Sequence, residues 1–129
     1  MAQRLLDAGA DIVLPVAGES VGWGAGAAVQ EHENAWLIGV DTDWTETAPE
    51  YVDILLTSIE KRFDVSVVQA ARAIVDNQFA GGIHYGTLET GEVGISPFHD
   101  LNALVSDRVE ADLEQIKADI IAGEIETRP

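Results

Sequence analysis

The sequence predicts an α/β layered fold, a parallel sheet flanked by helices, and three observations predict it. Residues 12–16, 35–41 and 54–59 are short apolar runs with little alternation, as in strands covered on both faces. Residues 64–79 and 106–123 carry apolar side chains at helical spacing. The resulting order is helix, strand, helix, strand, strand, helix, a short extended pair and helix, which is the alternation of a layered α/β domain. In such sheets ligands sit beyond the carboxyl ends of the strands, and two strand ends here present charge: Asp41 with Asp43, and Glu60 with Lys61.

The elements follow in chain order. Residues 2–8 read as helical turns with Leu5 and Leu6 inward and Gly9 suited to a left-handed helix end. The strand at 12–16 leads to a glycine-rich turn, residues 18–26 (GESVGWGAG), which opens a helix through Val29 and aims free N–H groups at the crevice. The strand at 35–41 is followed by a loop at 44–51 and by the strand at 54–59. Asp64 is placed to cap a helix reaching Phe79, whose stripe of Val65, Val68, Ala71, Val75 and Phe79 would normally mean core, with Gly81 and Gly82 as the stop. Residues 83–98 read as two short extended runs around a glycine-containing turn. Ser106 caps the last helix, in which Val109, Leu113, Ile116 and Ile120 share one face and Gly123 ends it.

Composition narrows the function classes. At 129 residues the chain is one domain's worth of sequence, with no repeat, low-complexity tract or interdomain linker. It has no cysteine, so a disulfide framework and a thiolate metal site are both excluded. Seven basic residues against 23 acidic ones give a formal charge of -16, which repels phosphate backbones and anionic lipid, so a nucleic-acid polymer is not expected as a partner. The start, MAQRLLDAGAD, lacks the apolar core and cleavage site of an export signal, and no run approaches the ~20 apolar residues of a membrane span.

Several patterns could carry chemistry. Gly22, Gly24 and Ala27 fit a G-x-G-x-x-A dinucleotide fingerprint, with Asp41 near the place of a ribose-binding acid. Against it, residues 17–21 separate the strand from the first glycine and Trp23 sits in the turn; glycines serving a tight turn and close helix packing are the plainer reading. His32, His84 and His99 show no metal-ligand spacing, which favours surface or turn positions. No G-x-S-x-G elbow surrounds any serine. Asp41 can accept two hydrogen bonds from vicinal hydroxyls at a strand end, as a sugar offers, or cap a turn. Lys61 can serve the same ligand, though position alone favours an ion pair with Glu60 or Asp64.

Five stretches, in order, resemble one family. GADIVLPVAGES resembles the GADV-[IV]-[FL]-PVAGG segment of the BMP family of ABC-transporter substrate-binding lipoproteins, also known as basic membrane protein or purine nucleoside receptor-like proteins. LIGVDTD is similar to its IGVD-[ST]-D, APEYVDILLTSIEKRFDVSV to its AP..VLTS..K..D.AV, GGIHYGTLETGEVGISPFHD to its GG.Y..GL..GGVGLAPFH, and IIAGEI to its I.DG.I ending. The likeness spans essentially all of residues 1–129.

The resemblance implies a type I periplasmic-binding-protein fold, in which two α/β lobes close on a nucleoside, a purine nucleoside foremost. It implies a binding protein with no cofactor, an ABC permease as partner, and an extracytoplasmic, lipid-anchored location. Position by position it assigns the ribose hydroxyls to Asp41, a further sugar contact to Lys61, and cleft-lining backbone to Ala17 and Gly18. Glu19 departs from the family's glycine, which weakens the assignment of Gly18. Trp44, where glutamine is common, is expected to pack. Residues 1–129 correspond to a single partial domain, the C-terminal portion of a family member. The N-terminal lobe with its base-stacking residue is the missing partner, and the 64–79 stripe would then face it. Besides this binding module, a dinucleotide-dependent oxidoreductase and a non-binding remnant stay open at this stage.

Overall fold

The sheet is built on the hydrophobic run WLIGVD. A computed structural model describes residues 1–127, the side chain of Glu19 excepted. Helices are α1 (Ala2–Asp7), α2 (Glu19–Gln30), α3 (Trp44–Thr47), α4 (Phe63–Val75) and α5 (Asp107–Ala122); strands are β1 (Ile12–Val13), β2 (Trp36–Asp41), β3 (Leu55–Lys61) and β4 (Val93–Ile95). Turns of 3₁₀ helix cover Pro49–Ile54 and His99–Leu104. The strand order is β1-β2-β3-β4, with β1–β2 and β2–β3 parallel as the sequence predicts. β4 runs the other way, since Ser96 N donates to Ser58 O and Arg62 N to Glu92 O, so the sheet is mixed. Among the described residues no helix is long and apolar enough to cross a membrane.

The chain divides into two units. The first, Met1–Glu60 with Ile95–Ser106, holds all of the buried apolar residues among those described. Leu6 of α1, Val29 of α2, Val13, Leu37, Val40 and Leu55 of the strands, and Trp44 and Tyr51 of the β2–β3 connection pack together. α2 packs on α1 and β2. The predicted turn at 18–26 is a correction: only Gly18 is turn, and Gly22, Gly24 and Gly26 lie inside α2. At Gly22 and Gly26 the low helix propensity of glycine is offset by tertiary contact. A Cβ on Gly22 would lie 2.5 Å from Trp44 Cη2, and one on Gly26 would lie 2.9 Å from Tyr51 Cε1, so glycine lets both rings reach the helix axis. The loop expected at 44–51 is instead α3 and 3₁₀ helix, drawn into order by burial of Trp44 and Tyr51. β1 stops after Val13, before Pro15, and its Ile12 face is exposed rather than covered.

The second unit, Lys61–Gly94 with the chain from Asp107, carries α4 and α5. α4 ends at Val75, short of Phe79, where Asn77 takes a left-handed φ of 54°. Its N-cap is Arg62, and Asp64 sits in its first turn. The stripe does not form core: Val68, Val75 and Phe79 are exposed, and α4 has no buried residue. Of the two extended runs expected in residues 83–98, only β4 forms. α5 begins directly after Ser106 and ends at Gly123, left-handed as expected.

Candidate functional site

The carboxyl end of β2 is a tightly specified turn in the first unit. Asp41, half-buried and opposite Glu60 in the β2–β3 register, has a φ of 73°. A non-glycine residue there costs on the order of 1–3 kcal/mol and persists only where its surroundings over-determine it. Thr42 N donates to Val40 O at 2.9 Å, closing the turn immediately after Asp41. Asp43 then starts α3: its Oδ1 accepts from Thr45 N at 3.0 Å and Thr45 Oγ1 at 2.9 Å. The following Trp44 is fully buried, donates Nε1–H to Val40 O at 2.9 Å, and gives its backbone N–H to Ser58 Oγ at 3.1 Å. Trp44 therefore packs beneath the turn, as expected of it.

Asp43 Oδ2 accepts from His99 Nε2 at 2.8 Å. Burial pushes the Asp43 carboxyl up, but hydrogen bonds from Thr45 and the His99 contact outweigh it and leave the group below its ordinary range. It is an anion at neutral pH, so the Asp43–His99 bond has a carboxylate acceptor. The same segment is pinned to β3 by Ser96: its Oγ accepts from Ser58 N at 2.8 Å, and Thr57 Oγ1 donates to its carbonyl at 2.7 Å.

Ala17 and Gly18 lie in the first unit at the start of α2, both exposed. Gly18 is the α2 N-cap with a φ of 76°, a conformation that favours glycine, and its carbonyl accepts from Gly22 N at 3.0 Å. The expected effect of Glu19 on this turn lies outside the described residues. Since Gly22 and Gly24 are helical, the G-x-G-x-x-A pattern is not a strand-to-helix turn, and its glycines do not present a pyrophosphate loop. Lys61, exposed, closes β3 directly after Glu60 and belongs to the second unit. The structure thus groups Ala17, Gly18 and Asp41 in one unit and assigns Lys61 to the other.

The second unit has its own polar centre, which sequence reasoning missed. Glu92, 3% exposed, accepts from Ser66 Oγ at 2.6 Å, Thr90 Oγ1 at 2.7 Å and His84 Nε2 at 2.8 Å. The bonds from Ser66, Thr90 and His84 hold its carboxyl down at about 2 against the effect of burial. A Cβ on Gly86 would lie 2.9 Å from Glu92 Cβ, so the 84–92 loop wraps closely over the carboxylate. No periodic signal marks a lone glutamate in a glycine-rich run. His84 and His99 thus serve carboxylates, and among the described residues no group of His and acidic side chains could hold a metal ion.

Comparison with known proteins agrees with this architecture. The family model described as ABC transporter substrate-binding protein PnrA-like matches residues 1–128. A solute-binding protein of an ABC transporter system from Aeropyrum pernix K1 superposes with a TM-score of 0.74 at 24% identity, over 97% of this chain and 42% of that one. A protein of Bacillus halodurans described as a transcriptional activator of the comK gene gives 0.78 at 20% identity, over 98% and 42%. A solute-binding protein from Conexibacter woesei DSM 14684 gives 0.69 at 18%, over 98% and 40%. At these identities the solved structures establish the fold, and this chain spans less than half the length of each.

Proposed function

Since the chain belongs to the family of PnrA-like ABC transporter substrate-binding proteins, we propose that it forms the ribose-side wall of a nucleoside-binding cleft in a transporter receptor. The family is one of binding proteins, not of enzymes, and the architecture is that of the solute-binding proteins. The observation that carries the finer reading is Asp41. A carboxylate at a strand end, held by a strained backbone in a turn locked by Asp43 and Trp44, is a preorganised acceptor for two vicinal hydroxyls. The Ala17–Gly18 backbone, in the same unit as Asp41, lines the cleft. The nucleoside is a purine nucleoside, and the receiving partner is an ABC permease at the extracytoplasmic face of the membrane, where a lipid anchor holds the receptor.

Residues 1–129 act in this reading as the C-terminal portion of a two-lobed receptor, and an N-terminal lobe covers the base. Two observations support it. The superposed solute-binding proteins extend well beyond the matched region. In the second unit no described apolar residue is buried, while Phe63, Val67, Ile74, Val75, Phe79 and Ile83 are each at least 60% exposed. An apolar surface of that kind normally has a cover. Affinity at a cleft depends on burial from both sides, so one wall binds weakly alone.

Calorimetry with inosine tests the proposal on the protein with both cleft walls in place. Asp41→Ala is expected to weaken binding by about 1.5–3 kcal/mol, the range for hydrogen bonds to a charged group. Unchanged affinity would remove Asp41 from the site.

A further inference from the structure

We infer that His99 is a positioning residue for the ligand: through Asp43 it holds the turn that fixes Asp41 in its left-handed conformation. The inference rests on the nucleoside reading above and names a residue that the reading does not use.

Four non-glycine residues have positive φ among the described residues: Asn34, Asp41, Asn77 and His99. Asn34 and Asn77 lie in turns that follow α2 and α4, where asparagine tolerates the left-handed region. Asp41, at 73°, is instead the last residue of β2, and His99, at 43°, opens the 3₁₀ turn after β4. These two strained residues are connected by a short path. Asp41 is two residues from Asp43, and Asp43 Oδ2 meets His99 Nε2 at 2.8 Å. Both belong to the first unit, although 56 residues separate Asp43 from His99 in sequence.

The two carboxylate oxygens of Asp43 do different work. Oδ1 caps α3 through Thr45, a bond local in sequence that would form in any Asp-started helix. Oδ2 is held by His99 alone among the bonds described, and that bond comes from the 3₁₀ turn after β4. The imidazole is 29% exposed and the Asp43 side chain 15%, so the pair is partly shielded from water and is screened less than a surface pair. Ser96 pins the strand leading to His99 onto Thr57 and Ser58, and Ser58 Oγ accepts from Trp44 N. The turn after Asp41 is therefore gripped at two successive residues, Asp43 by His99 and Trp44 by Ser58. Releasing His99 frees the first grip. Residues 41–43 can then relax toward ordinary backbone, and the Asp41 carboxylate no longer waits in the orientation that vicinal hydroxyls require.

His99→Ala and His99→Gln test this on the protein with both cleft walls in place, by amide hydrogen exchange across residues 42–45 and by calorimetry with inosine. The glutamine amide can donate from nearly the same place as Nε2, so it keeps the bond without the ring. His99→Ala is expected to speed exchange at Thr42, Asp43 and Thr45 and to weaken inosine binding roughly tenfold, the scale of one hydrogen bond to a charged group. His99→Gln is expected to recover most of both. Faster exchange with unchanged affinity would overturn the positioning role, and so would weakened affinity that glutamine does not recover. If wild-type protein fails to bind inosine, the nucleoside reading falls and takes this inference with it. If wild type binds and His99→Ala binds equally well, only the inference falls.

Discussion

Gly39→Ala probes the packing beneath the proposed site. Gly39 sits in β2 opposite Ser58, with the Trp44 ring across it. A Cβ at this position would lie 2.5 Å from Ser58 Oγ, 2.8 Å from Trp44 Cγ and 3.0 Å from Trp44 Cδ1. Ordinary contact distances are about 3.5 Å or more, so the neighbours must retreat by roughly 1 Å. Neither is free to do so. Trp44 is fully buried and tied by Nε1 to Val40 O, and its far edge already meets α2 at Gly22. Ser58 is fully buried and accepts from Trp44 N. Overpacking of this kind costs about 1–3 kcal/mol. Loss of the Trp44–Ser58 bond would add roughly 1 kcal/mol, giving about 2–4 kcal/mol of destabilisation. Urea denaturation followed by tryptophan fluorescence reads the change. Gly24→Ala is the control: a Cβ there meets nothing within 4 Å, and alanine should stabilise α2 by roughly 0.5–1 kcal/mol. Equal stability of Gly39→Ala and wild type would refute the claim that glycine is needed for Trp44 to lie under the turn.

Two further predictions follow from buried polar groups. Ser96→Ala removes the acceptor of Ser58 N, which is fully buried, and should cost about 1–3 kcal/mol in the same denaturation assay, whereas Ser96→Thr should cost less if its hydroxyl keeps the bond. Glu92 has a folded pKa near 2, below its ordinary 4.5, so its contribution to stability is complete above about pH 4.5 and is lost as pH falls toward 2. Glu92→Gln should lower the melting temperature at pH 6 and lose less on acidification than wild type; parallel curves for the two proteins would show that Glu92 carries none of the acid dependence.

Much of the architecture was legible where local pattern and tertiary demand agree. β2, β3 and α5 were found by apolar runs and helical spacing, and the strand-end position of Asp41 followed from them. The helical Gly22 and Gly26 of α2 were not, because propensity argues against helix and the reason for glycine there lies in Trp44 and Tyr51, more than 20 positions downstream. The α4 stripe was legible as a stripe, but periodicity cannot say what covers it, and its residues are exposed. At the site, the sequence could mark Asp41 as a carboxylate in the right place. It could not show the φ of 73° or the bond to His99 from a segment 56 residues past Asp43, because backbone strain and long-range pairing leave no trace in spacing. The run resembling PFH placed His99 in a shared segment without assigning it a role.

The most direct test of the nucleoside reading compares inosine with 2′,3′-dideoxyinosine by calorimetry, on wild type and Asp41→Ala, with both cleft walls present. The account predicts that removing the hydroxyls weakens wild-type binding by at least about tenfold, and that the difference between the two ligands largely disappears in Asp41→Ala. Equal affinity of wild type for both nucleosides, or a full difference persisting in Asp41→Ala, would contradict the assignment of the ribose to Asp41.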